Sequence, residues 1–291
     1  GMSHIRIRGE ESRRTAVLIN SQEVTDHHEV GTPLSLHPAM VERIEVVRGS
    51  GSVLYGSRAL SGVVNFITRK GGTQPLQATV SSSYDSATEG YGNFASLFGN
   101  VRGFEYRVAG ANSDHEDRST PAGSMDNTSF DNQGLYLFAG KSLGEHRLEY
   151  TYEDYQASSH VYVEEEVKTT YPLTDFYVET PQRDRNKHAL LYQWDIDNNW
   201  AQSLEANVYH QESDRHFYTR TDTVFYQRDV NSMDDLTTDG ALVQLNLQPL
   251  GHHELLAGIQ YLNDDVDQDR HVDTDSWTPP TPSGIDIIRD Q

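Results

Sequence analysis

The chain has 291 residues, enough for one large domain or two ordinary ones, and carries 23 Lys plus Arg against 44 Asp plus Glu, a formal charge of −21. That balance excludes a basic nucleic-acid-binding surface, and the absence of cysteine excludes disulfides, leaving the redox compartment unreadable. No run of 18 apolar residues occurs, which excludes a transmembrane helix, while 16 Tyr and many alternating segments weigh against a disordered acidic chain.

No secretory signal opens the chain, and Gly1-Met2 reads as a tag-cleavage remnant ahead of a start codon. Both features fit a truncated reading frame as well as a cytoplasmic protein. Residues 4–9 form a short alternating strand, and Thr15-Ala16-Val17-Leu18-Ile19-Asn20 a second, buried one. Asn20-Ser21 permits a turn. A polar stretch follows with Asp26-His27-His28-Glu29, and Pro38 opens a short helical turn. Residues 41–72 then read as strand, Gly-rich turn, brief helix at Val53-Leu54-Tyr55, Gly turn and β-branched strand, which Lys70-Gly71-Gly72 ends.

Beyond Gly72 the pattern changes to segments with one apolar and one polar face. Leu148, Tyr150 and Tyr152 alternate with Glu149, Thr151 and Glu153; Leu190, Tyr192, Trp194 and Ile196 alternate with Gln193 and Asp195. Roughly nine strands are predicted, near 76–85, 91–99, 103–113, 132–142, 146–157, 184–196, 203–213, 237–248 and 253–264. Short turns (99–103, 142–146, 197–203, 248–253) alternate with long polar connections (113–132, 157–184, 213–237), the signature of a transmembrane β-barrel with one short-turned and one long-looped rim. The apolar face is expected to meet lipid. An acidic, Pro-rich segment from 264 to 291 ends the chain.

The string VERIEVVRGSGSVLYGSRALSGVVNFITRKGG (41–72) closely resembles the end of the plug domain of TonB-dependent outer-membrane receptors. The resemblance implies a mostly β fold: an α+β plug fragment (1–72), then antiparallel up-and-down strands of the N-terminal part of a transmembrane β-barrel (73–291). It implies a Gram-negative outer-membrane location, outer-membrane lipid and the TonB–ExbB–ExbD complex as partners, no catalysed step and no permanently bound cofactor. Heme or a ferric chelate would be the transported ligand.

Within that family the segments HRLEYTYEDYQ (146–156) and SLEANVYHQESD (203–214) resemble heme and hemoglobin receptors. His28, in the order His28-Glu29-Val30-Gly31-Thr32, becomes a heme axial-ligand candidate, with His27 as its alternative. A solvated polar loop accounts for the same residues equally well. A ferric-siderophore receptor is the alternative within the class, and a non-transporting soluble or oligomeric β remnant the alternative outside it. Arg43, Glu45 and Arg48 are expected to pair with acidic residues of the barrel wall and hold the plug. His252-His253-Glu254, the aspartates from Asp264 to Asp275 and Glu164-Glu165-Glu166 read as solvated turns and loops rather than metal sites. Gly49-Ser50-Gly51 lacks the Gly-Lys-Ser/Thr of a nucleotide loop.

Overall fold

A computed structural model describes residues 5, 7, 14–24, 35–49, 59, 61–196, 198, 200–248 and 253–276. Two sheets contain most of them. The first has four strands, β1 (Thr15–Ile19), β2 (Gln22–Glu23), β3 (Val41–Arg48) and β4 (Gly62–Thr68), in the order β2-β1-β4-β3. β1 and β4 are parallel and central. Their sequences, TAVLI and GVVNFIT, are nearly continuous apolar runs, as a strand covered on both faces requires, and both are buried.

Asn20 and Ser21 both take positive φ, 53° and 64°, which gives the two-residue turn whose twist matches a hairpin. Asn20 Nδ2 also donates to Thr68 Oγ1 at 2.8 Å, and Thr68 N donates to Asn20 Oδ1 at 3.0 Å, so one turn residue ties β1 to the end of β4. The helical turn expected at Pro38 is a 3₁₀ turn, Pro38–Met40, capped by His37, whose Nδ1 accepts from Ala39 N at 3.2 Å. Burial lowers the His37 pKa, which keeps the accepting nitrogen unprotonated. The brief helix expected at 53–55 lies outside the described residues. Of the strand expected at 4–9 only Ile5 and Ile7 are described, and Ile7 is buried.

The second sheet has nine antiparallel strands: β5 (Gln77–Asp85), β6 (Gly90–Val101), β7 (Phe104–His115), β10 (Phe130–Leu143), β11 (His146–His160), β12 (Leu173–Asp195), β13 (Ala201–Thr223), β14 (Tyr226–Leu247) and β15 (Leu255–Ser276). Each pairs with its sequence neighbour in an up-and-down order from β5 to β15. A small hairpin, β8 (Arg118–Thr120) with β9 (Gly123–Met125), lies between β7 and β10, and a single-turn helix α1 (Glu165–Lys168) lies between β11 and β12.

All nine expected strands are present, but the last four run for 22 or 23 residues, twice the expected length. Three expected loops are therefore corrected. Residues 213–237 form the outer half of the β13–β14 hairpin, 173–184 the outer half of β12, and the acidic stretch 264–276 the outer half of β15. The reason is physical. These halves are mostly polar and their few apolar residues follow no strict alternation, so the apolar period disappears while backbone pairing continues. Glu165 and Glu166 likewise sit in α1 rather than in a loop.

The inner halves are apolar outward and polar inward. One cross-strand row on the outer face reads Leu148, Tyr192, Ala206, Val243, Ile259, and the next Tyr150, Leu190, Val208, Ala241, Tyr261. Leu148, Val208, Val243 and Ile259 are exposed. The opposite face carries buried Arg107, Glu149, Glu153, Arg185, Lys187, Asn207 and Gln211. A water-soluble sheet buries the other face. This distribution is that of a barrel wall with lipid outside and the four-stranded sheet inside.

Candidate functional site

The first sheet is seated on the inner face of the wall by one mixed cluster. Ile19, Met40, Val64 and Phe66 pack with Phe94 of β6, Ala109 and Ala111 of β7, and Tyr136 and Phe138 of β10. At its margin the Tyr136 hydroxyl bonds Thr68 Oγ1 at 2.9 Å. Lys70, two residues past β4, places its Nζ 2.7 Å from Glu149 of β11. Arg147 bridges Glu149 and Glu105, reaching the latter at 3.0 Å through both terminal nitrogens. Arg107 lies 3.9 Å over the Phe98 ring and donates Nε to the Lys70 carbonyl at 2.5 Å. The strand-to-wall linker is thus held by charge-assisted bonds in addition to packing.

Higher on the wall, Arg185 and Glu153 are both almost fully buried and pair at 2.6 Å. Arg185 also donates Nε and Nη2 to the Ser35 carbonyl at 3.1 and 2.9 Å, tying β12 to the segment before the 3₁₀ turn. The next inward row reads Arg183, Arg215, Asp234, Gln268, with Arg215 bonded to Asp234. Strand alternation puts Phe217, Ser232 and Arg270 in the inward row above it, and Thr221, Arg228 and Thr274 in a higher one. Arginines therefore line the lumen side of β12–β15 above the seated sheet.

The outward face at the same height is acidic. Asp184, Asp214, Asp235 and Asp267 lie side by side across four strands. Burial, and then the carboxylates of Asp235, Asp184 and Glu212, push the Asp214 pKa up. A folded-state pKa raised in this way adds stability only at low pH, where Asp214 is protonated, and that stability is lost as pH rises through the folded value. Asp214→Asn is therefore expected to stabilise the chain by about 0.2–1 kcal/mol at pH 7, as for removal of one of two like charges directly opposite, less where solvent screens them. Urea midpoints of the two proteins should converge as pH falls through the carboxylate range.

His28 and His27 lie outside the described residues. Arg43 and Glu45 are on β3, the exposed edge of the first sheet, and bond each other at 2.9 Å, while Asn65 Nδ2 reaches Glu45 at 3.3 Å. Arg48 ends the same strand, paired across to Gly62. The expectation that these three meet wall carboxylates is corrected. Among the described residues the polar contacts to the wall come from Ser35, Thr68 and Lys70, because β4, not β3, ends against the wall. Lys70 stood in the sequence only as part of a strand terminator. The luminal arginines sat in stretches that read as loops, where no inward face is definable. A cavity of about 330 Å³ lies between the first sheet and β11–β13, lined by Asn20, Ser21, Arg43, Lys70, Gln193 and Glu205 among others. Among the described residues no cluster of His, Asp and Glu has the form of a metal site.

The family model described as TonB-dependent Receptor Plug Domain matches residues 1–63. Among curated relatives, the chain is 37% identical over 93 residues to the vitamin B12 transporter BtuB of Vibrio vulnificus (strain YJ016), covering 32% of this chain and 14% of that protein. It is 38% identical over 78 residues to the ferrienterobactin receptor of Escherichia coli (strain K12), covering 23% of this chain and 10% of the relative. It is 45% identical over 69 residues to the hemin receptor of Yersinia pestis, covering 22% and 10%. Each match thus spans a small part of the relative's length. Among solved structures, the copper transporter OprC superposes with a TM-score of 0.71 at 14% identity, over 88% of this chain and 39% of that one. The FrpB iron transporter of Neisseria meningitidis gives 0.59 over 89% and 54%. At such identity these neighbours share the fold.

Proposed function

We propose that this chain forms the plug and the first nine wall strands of a TonB-dependent outer-membrane receptor, and that its ligand is an anionic metal chelate of the ferric-siderophore kind. The observation that carries the ligand class is the row of inward arginines, Arg183, Arg215, Arg228 and Arg270, above the plug of a chain whose net charge is −21. Asp234, bonded to Arg215, is the inward carboxylate of that row, while Asp184, Asp214, Asp235 and Asp267 face outward, so the inward side carries a net excess of guanidinium. Guanidinium groups present paired donors to catecholate or carboxylate oxygens. The receptor is not an enzyme: it would bind the chelate from outside and release it inward when the TonB–ExbB–ExbD complex acts on the plug. The relative named for ferrienterobactin is consistent with this class.

Heme is the second reading. It is favoured by the order His28-Glu29-Val30-Gly31-Thr32 and by the match to the hemin receptor. Titration of the purified chain separates the two. A ferric tricatecholate is expected to quench tryptophan fluorescence, and Arg228→Ala with Arg270→Ala to weaken that binding by about 10-fold or more, since a bond to a charged group contributes ~1.5–3 kcal/mol. His28→Ala should leave it unchanged. A Soret shift on adding hemin that disappears in His28→Ala, with no response to the tricatecholate, would put heme in its place.

A further inference from the structure

On the receptor reading above, we infer that the plug parts from the wall along β11–β13 and stays seated on β6, β7 and β10. The two sides of the plug are built differently. The seat is apolar: Phe94, Ala109, Ala111 and Phe138 are buried against Ile19, Met40 and Phe66. Exposing it would return all of that surface to water.

The seam on β11–β13 is polar and incompletely satisfied. Lys187, Glu153 and Asn207 face the plug from neighbouring strands, and Lys187 and Gln211 share the row of Glu153. Among the described residues, Lys187 Nζ, Glu153 Oε1 and both amide atoms of Asn207 are buried without a hydrogen-bond partner. Native interiors rarely leave such groups dry. The cavity of about 330 Å³ lies at the lower end of the same seam, lined by Thr151 of β11, Ala189, Leu191 and Gln193 of β12 and Glu205 of β13. That volume corresponds to roughly ten waters at the ~30 Å³ each occupies in the liquid. The ties that close the seam are Arg185 to the Ser35 carbonyl and Lys70 to Glu149. Water replaces bonds of this kind far more readily than it replaces packing. Parting at the seam satisfies the buried polar atoms, whereas parting at the seat would strip an apolar core.

The chain has no cysteine, so single thiols report on each side without background. Asn207→Cys and Lys187→Cys probe the seam, and Ala109→Cys and Ala111→Cys the seat, each in the full chain in detergent micelles with a small hydrophilic thiol reagent. The seam thiols are expected to react at least tenfold faster. If Lys187→Cys fails to fold, Asn207→Cys still tests the seam. A Cβ on Gly134 would lie 3.7 Å from His37 Cβ, within the span of a disulfide, so His37→Cys with Gly134→Cys fastens the plug to β10. With that lock closed the seam rate should remain within twofold. Equal rates on both sides, no reaction on either, or loss of seam reaction on locking would overturn the inference. No ligand enters this experiment, so a failed titration with the tricatecholate leaves its outcome readable.

Discussion

Arg185→Leu is expected to lower the unfolding free energy by about 3–5 kcal/mol, the cost of leaving a buried charge without its partner. Glu153 would keep its carboxylate inside the wall, almost fully buried, with its 2.6 Å bond gone. The Ser35 carbonyl would lose both donors as well. Lys187, opposite Glu153 in the register, limits the loss if its ammonium can swing across. The double variant Arg185→Leu with Glu153→Met distinguishes the origin of the cost. Replacing both members of a buried pair by apolar groups of similar volume is often neutral, so the double variant should recover most of what the single one loses. Urea midpoints in detergent give both values. Equal loss in single and double variants would assign the effect to packing rather than charge.

Val243→Arg is expected to cost about 2–4 kcal/mol in a phospholipid bilayer, as a cation does on the lipid face of a barrel near mid-depth. Val243 stands in the outward row Leu148, Tyr192, Ala206, Val243, Ile259, exposed and with apolar neighbours on both sides. Thr237→Arg, on the same face but beside Glu212 and Asp265, should stay within ~0.5 kcal/mol, the usual range for a surface substitution. Urea unfolding in liposomes measures both. That contrast would separate the membrane reading from the remaining alternative, a soluble or oligomeric β remnant. On such a protein the exposed Val243 face would meet water, and arginine there would cost nothing or improve solubility.

The sites were less legible than the strands. His37 lies in the polar stretch before Pro38 and is a half-buried cap whose ring nitrogen accepts. Arg43, Glu45 and Arg48 drew attention because charge on a core strand needs a partner. The partner of Arg43 proved to be Glu45, two residues along its own exposed edge strand. Lys70 closed a strand in the sequence and anchors the plug in the fold. A terminator and an anchor are the same residue to one-dimensional reading, since only the approach of β11 separates them.

The amino-acid sequence by itself determined the nine wall strands, the runs of β1, β3 and β4, and their polarity, but not β2 or the β8–β9 hairpin. Alternation at period two in β5–β15 sets which face is apolar, and the uninterrupted runs of β1 and β4 set which strands are covered on both faces. Both are local properties of the chain, carried by neighbouring side chains. Only the tertiary structure decided where β12–β15 end, which arginines share a row, and which side of the plug is dry. Outer strand halves that are mostly polar, with a few unaligned apolar residues, have no period to read. Their register comes from backbone bonds to the next strand. Arg183 and Arg215 are 32 residues apart in the chain and adjacent only because that register puts them side by side.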